Sequence, residues 1–274
     1  MRYLIALILI SPSLRAQQNL DTVRIRPVKI ADNIYMLKGS GGNMGLLTGP
    51  EGTVLIDDQF APLSEKIKAA ALTLNNSPIK YLINTHIHGD HTGGNENFKK
   101  DGVTIISQSN VRSRMMKEQY NAVRKTTTPP RDPMALPVIT FDDHISVYMN
   151  NEELEIFHFN HGSHTDGDAI IHFKNANVYH MGDVFVRYGY PFIDMSNGGS
   201  IPGHGELAKK ADVKIFRDRL ADIRDKVAAA VKKGKRPDEI TAMGITDKYD
   251  AEWGNGFLKG KDFVLMIAEE LSKK

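Results

Sequence analysis

The chain has 274 residues, 41% of them hydrophobic and 25% charged, enough apolar material for a sizeable core and too much for a disordered chain. Lys+Arg 35 against Asp+Glu 33 leaves a net charge of +2, with no basic stripe for nucleic acid. There is no cysteine, which excludes disulfides, iron–sulfur clusters, thiol nucleophiles and thiolate metal sites, so any transition metal must be held by nitrogen and oxygen.

Arg2 precedes the apolar run Leu4–Ile10, and Ser11, Pro12 and Ser13 break it before Ala16. Residues 1–16 read as a signal peptide, too short to span a bilayer, and 17–274 as the mature domain. Removing Arg2 and Arg15 would leave the mature chain formally neutral. Export predicts a periplasmic or secreted protein without a stable membrane anchor.

Strands are predicted at Ile34–Lys38, Met44–Thr48 and Thr53–Ile56, separated by the glycine-rich turns Gly39–Gly42 and Gly49–Gly52. Ser64–Leu74 has helical spacing and ends at Asn75-Asn76-Ser77-Pro78; Ile79–Ile83 is a short buried strand. Val103–Ile106 is a strand, Val111–Arg124 a helix, and the four prolines of Thr126–Pro137 impose an extended loop. Val138–Phe141, Ile145–Met149, Leu154–Phe159, Ala169–Phe173 and Val178–Met181 form a second group of strands. Leu207–Val231 is a long helix with Ile215, Leu220, Ile223 and Val227 as its apolar stripe, and Phe263–Leu271 is the last. The pattern is α/β: two sheets with helices outside, in one domain.

All ten histidines fall between His86 and His204. Three lie in Thr85-His86-Ile87-His88-Gly89-Asp90-His91-Thr92-Gly93-Gly94, directly after an apolar strand, where open sheets place ligands and glycines let the chain turn tightly. Asn160–Asp168 with His161 and His164, His180-Met181-Gly182-Asp183, and Pro202-Gly203-His204-Gly205 each add donors after a strand-like run. So many half-buried imidazoles and carboxylates at strand ends call for a metal to pair them.

These residues resemble the metallo-β-lactamase fold superfamily over nearly the whole mature chain. His86, His88, Asp90 and His91 match its signature loop, and His164, Asp183 and His204 match its later ligand positions. Val54–Asp58 resembles the early strand ending in an aspartate beneath the metal loop, and Trp253–Phe257 resembles the tail of secreted bacterial members. The resemblance implies a four-layer αββα sandwich with a dinuclear site: His86, His88 and His164 on one zinc, Asp90, His91 and His204 on the other, Asp183 bridging, and Asp90 handling the proton. It further implies a metal-bound hydroxide attacking a small carbonyl substrate of β-lactam, lactone or thioester class. Aspartate stands at the bridging position, where many β-lactamases of the fold have cysteine. Iron suits the same donors, so an iron-dependent redox member and a degenerate, non-catalytic metal binder are the alternatives. Nothing in the sequence specifies an oligomeric state.

The other histidines have blander expectations. His144, His158 and His172 are packing or surface groups, His161 is a competing ligand or orients one, and His180 is a core residue or a support. Phe185, Tyr188, Tyr190 and Phe192 are candidates to line the pocket. Only 20 residues separate Asp183 from His204. Relatives have a helical crossover there, so the chain is predicted to lack one crossover helix between Ser200 and Ile201. That loss would uncover sheet surface, misaim His204 and weaken the second metal position.

Overall fold

Alternation along the early strands sends apolar side chains to both faces of one sheet. A computed structural model describes residues 20–121, 126–159, 163–187, 189, 204–256 and 258–273. Strands β1 (Arg26–Ala31), β2 (Ile34–Lys38), β3 (Met44–Leu47) and β4 (Thr53–Ile56) form an antiparallel meander. The chain then crosses over through α1 (Ser64–Leu74) to the parallel strand β5 (Ile79–Asn84), and through α2 (Gly89–Thr92) and α3 (Asn95–Lys100) to β6 (Thr104–Gln108).

After α4 (Ser109–Met115) comes a short hairpin, β7 (Gln119–Asn121) with β8 (Thr126–Thr128), and then β9 (Ile139–Phe141), which pairs with β6 and completes a seven-stranded sheet. Strands β10 (His144–Met149), β11 (Glu152–His158), β12 (Ala169–Phe173) and β13 (Val178–His180) make a four-stranded antiparallel sheet. Helices α5 (Lys210–Lys232), α6 (Pro237–Thr241), α7 (Asp247–Trp253) and α8 (Gly260–Ser272) follow.

The two sheets face one another through Val54, Ile56, Ile83, Ile106 and Phe141 on one side and Leu154, Ile156, Ile171 and Phe173 on the other. The opposite face of the first sheet, with Leu46, Leu55, Leu82 and Ile105, packs under Ile67 and Ala71 of α1 and Phe98 of α3. Burial on both faces explains why β3 to β6 read as near-continuous apolar runs. Helices α5 to α8 close on a core of their own, built around Phe216, Ile223, Val227, Trp253 and Phe263 and joined by Phe185. The architecture is the expected α/β sandwich.

Three expectations change. The helix over Val111–Arg124 ends at Met115, because the chain beyond it pairs Gln119, Tyr120 and Asn121 with Thr128, Thr127 and Thr126. Cross-strand pairing there wins over helical spacing, and it also makes part of the proline-bearing loop a strand. On α5, Ile215 is half exposed and Phe216 takes the buried position, one residue round the helix from the predicted stripe. Phe185, a candidate to line the pocket, instead turns its ring onto that of Phe216 at 5.5 Å and packs against the helical core.

The signal segment 1–16, His161, Tyr188, Tyr190, Phe192 and the predicted missing crossover at 200–201 lie outside the described residues. On the second sheet, Tyr148, Phe159 and Tyr179 are largely exposed among the described residues. Among the described residues no helix is long and apolar enough to cross a membrane.

The two faces of this second sheet should respond differently to mutation. Phe173→Ala, emptying a position that is 1% exposed, should cost about 3–5 kcal/mol in urea unfolding. Tyr148→Thr, at a position 73% exposed, should stay within about 0.5 kcal/mol. A loss at Tyr148 as large as that at Phe173 would mean that the outer face is covered after all.

Candidate metal centre

The centre is assembled from strand ends. Strand β4 stops at Ile56, and Asp57 and Gln59 adopt left-handed backbone (φ 59° and 53°), which turns the chain back beneath the end of β5. Asp57 N–H donates to Ile83 O and Asp58 N–H to His91 O, both at 2.9 Å, and Gly94 N–H donates to the Asp58 carboxylate at 2.9 Å. The signature loop is thereby fixed from below before its own side chains are counted.

Asp57 sets the imidazoles. Its carboxylate accepts Thr85 N–H at 2.8 Å, Thr85 Oγ1–H at 2.7 Å and His91 Nδ1–H at 2.7 Å. Thr85 spends its one hydroxyl proton on the carboxylate, so at 3.0 Å it accepts from His86 Nδ1–H. Both Nδ1 atoms therefore carry protons, and the Nε2 atoms of His86 and His91 are the ones that face the centre. Among the described residues these two Nε2 atoms and Asp183 Oδ1 are buried without a hydrogen bond of good geometry, although His91 Nε2 and Asp183 Oδ1 lie only 2.9 Å apart. Orphaned polar atoms of this kind, converging on one point, are what a cation would satisfy.

Two donor groups result: His86, His88, His164 and Asp183, and then Asp90, His91 and His204, the donor atoms of each within 4.8 Å of one another. His164 Nε2 lies 2.8 Å from His88 Nδ1 and 3.4 Å from Asp183 Oδ2. Asp183 also reaches into the second group, with Oδ1 2.9 Å from His91 Nε2 and Oδ2 3.6 Å from His204 Nε2. His204 Nε2 is 3.3 Å from Asp90 Oδ2. All seven residues read from the sequence are thus brought together, and His204 is not misaimed: among the described residues it sits with its group in spite of the short connection.

Electrostatics divides the histidines into two kinds. Burial pushes His86 well below its ordinary pKa, with protonated neighbours adding to the effect, and loss of water pushes His88 down to about 3. Both keep open lone pairs at neutral pH. Burial acts the same way on His91, but Asp183 and Asp57 outweigh it and hold its pKa well up; His204, against Asp183 and Asp90, is raised to about 9. Asp90 and Asp183 would be raised by burial, yet His204 and His91 beside the one, and His91, His86 and His164 around the other, hold them ionised. The metal-free centre is therefore a compensated charge cluster whose excess protons sit on the second group.

Several supporting residues had escaped notice. Asp168 organises the loop bearing His164: its carboxylate accepts Thr165 N–H, Thr165 Oγ1–H and Ser163 Oγ–H, each at 2.7 Å. The Thr165-to-Asp168 spacing is the same three-residue step as in a capping box, and it was the available signal. His158 donates through Nδ1 to Asp168 O at 2.7 Å, so it supports this loop, whereas His172 stacks on Tyr179 at 4.0 Å and His144 is exposed. Gly42 packs directly on the His91 ring: a Cβ there would lie 2.0 Å from Cε1.

Replacing Asp57 tests the arrangement from below. In Asp57→Asn the amide would donate to His91 Nδ1 and move the imidazole proton to Nε2, so Zn2+ affinity should fall about 10–100-fold in a direct titration. An unchanged affinity would remove Asp57 from this role.

The comparisons with known proteins agree with this geometry. The family model described as the metallo-beta-lactamase superfamily matches residues 37–239. A curated relative, beta-lactamase-like protein 2 homolog of Caenorhabditis elegans, is 26% identical over 254 residues, covering 84% of this chain and 81% of its own length. Alkyl/aryl-sulfatase BDS1 of Saccharomyces cerevisiae is 30% identical over 95 residues, only 34% of this chain and 15% of that protein. Among solved structures, a metallo-beta-lactamase from Pontibacter korlensis superposes with a TM-score of 0.56 at 16% identity, over 70% of this chain and 96% of its own. The metallo-beta-lactamase IND-7 does so with a TM-score of 0.55 at 17% identity, over 72% and 97%. With the family model spanning most of the chain, the protein belongs to the metallo-beta-lactamase superfamily.

Proposed function

We propose that the protein is a dinuclear zinc hydrolase acting on a small carbonyl substrate of β-lactam, lactone or thioester class. The observation that carries this reading is Asp183, whose two carboxylate oxygens reach His164 in one donor group and His91 and His204 in the other. Nitrogen and oxygen donors without a thiolate suit zinc, and two such cations when bound acidify water and polarise a substrate carbonyl.

The chain's own residues do the rest. Asp57 and Thr85 hold His86 and His91 in the ligating tautomer, and Asp168 holds the loop that presents His164. Asp90 Oδ2, ionised and partly exposed beside His204, is the acceptor for the proton that an attacking water sheds. A signal segment at residues 1–16 would direct the protein to the periplasm or the exterior.

A small panel tests the reaction: a cephalosporin, an acyl-homoserine lactone, a glutathione thioester and a phosphodiester. Hydrolysis of one carbonyl substrate should be abolished by a chelator, restored by Zn2+, and reduced at least about 100-fold in Asp90→Asn. A uniform blank with full metal loading would count against hydrolysis and favour iron redox chemistry on the same donors.

Metal uptake should also depend on pH in a fixed direction. His204, raised to about 9, carries a proton at pH 7 that a cation must displace, so Zn2+ binding should release protons. Affinity at the second group should rise by at least about tenfold per pH unit from 7 towards 9, because His91 is held protonated as well. In the metal-free protein the sign reverses: the stability His204 contributes is complete below its unfolded pKa of about 6.5 and is lost as pH rises through about 9. Calorimetric titration in two buffers of different ionisation enthalpy measures the released protons, and identical heats in both would contradict the assignment.

A further inference from the structure

The second donor group is held together by a loop that touches none of the first group's histidines in any contact described above. Gly42 N–H donates to Asp90 O at 3.2 Å, and Gly42 packs against the His91 ring. The next residue, Asn43, donates from Nδ2 to Gly205 O at 2.8 Å, beside His204. Two consecutive residues of the β2–β3 turn thus reach Asp90 and His91 directly and His204 through its neighbour Gly205.

Asn43 is itself held in place. Its carbonyl accepts His180 Nε2–H at 3.1 Å, which anchors it to the end of β13 on the other sheet. On the far side, Arg187 N–H donates to His204 O at 2.7 Å, and the Arg187 guanidinium donates to Leu207 O. Gly205 has φ +112°, and a Cβ there would lie 2.6 Å from Arg187 O, so the chain passes too close for a side chain. Lys38 at the end of β2 pairs with Glu206. Each of residues 204 to 207 is therefore tied either to the β2–β3 region or to Arg187.

We infer that Asn43 is a positioning residue for the second metal: its side-chain amide pins Gly205 and so aims His204, the task that a rigid crossover would otherwise perform. This rests on the dinuclear reading above. It accounts for a short connection that nonetheless delivers its ligand: the bonds described for residues 204 to 207 come from Lys38, Asn43 and Arg187. A single part-buried amide–carbonyl bond has a modest effect on stability; the distinguishing consequence is a loss confined to one of two metals.

Zn2+ titration of the full chain against a chelating dye, beside thermal unfolding of the metal-free protein, tests the inference. Wild type should take two Zn2+ per chain. Asn43→Ala should keep the tighter ion at its wild-type affinity and bind the other about 10–100-fold more weakly. Equal weakening of both ions, or of neither, would overturn the role of Asn43. Should Asn43→Ala fail to fold, Asn43→Asp keeps the shape and the main-chain bond to His180 but turns an acceptor towards Gly205 O, and the same selective loss is required of it. Wild type holding a single Zn2+ would overturn the dinuclear reading itself, a result distinct from two ions that ignore the substitution.

Discussion

One carboxylate, Asp183, stands among four imidazoles, and the structure around it follows from that crowding. Its oxygens lie 3.9 Å from His86, 2.9 Å from His91, 3.4 Å from His164 and 3.6 Å from His204. Four buried or half-buried cations could not coexist there, and one buried anion could not stand without compensation. The resolution is a division of labour: His86 and His88 stay neutral, and His91 and His204 take the protons. A bound cation would replace those protons with a fixed charge, which makes metal affinity and pH inseparable in this site.

The sandwich supplies the ligands because its strands end at a common edge. Asp57 follows β4, the signature loop follows β5, the His164 loop precedes β12, and Asp183 follows β13. Parallel pairing of β4 with β5 puts Asp57 directly beneath Thr85 and His91, so a register slip there would part the carboxylate from both. Ala169 N–H donates to Thr85 O at 2.7 Å, which couples the second sheet to the same loop. Stability and site geometry are therefore carried by the same short stretch of backbone, and weakening the sheet edge would loosen the metal ligands with it.

Much of this was legible in the sequence, for identifiable reasons. Strands at Ile34–Lys38, Thr53–Ile56 and Ala169–Phe173 and the helix Ser64–Leu74 have the predicted bounds, because glycine-rich turns or a proline mark their ends and their apolar periods are clean. The seven donors stood out because imidazoles and carboxylates recur after apolar runs. Less legible were interactions that depend on distant chain segments: the β7–β8 hairpin in place of a continued helix, the swap of Ile215 for Phe216, and the grip of Asn43 on Gly205, 162 residues away. The expectation of a misaimed His204 failed for the same reason. Connection length was visible in the sequence, whereas the contacts that hold residues 204 to 207 come from Lys38, Asn43 and Arg187.

The central claim is that Asp183 joins both donor groups into one centre, and the Zn2+ content of Asp183→Asn after exhaustive dialysis tests it most directly. An amide keeps the size but removes the charge that the four imidazoles surround. A folded variant, with its circular dichroism spectrum preserved, should retain neither ion tightly, since both groups lose a shared anion. Two ions still tightly held in Asp183→Asn would contradict it.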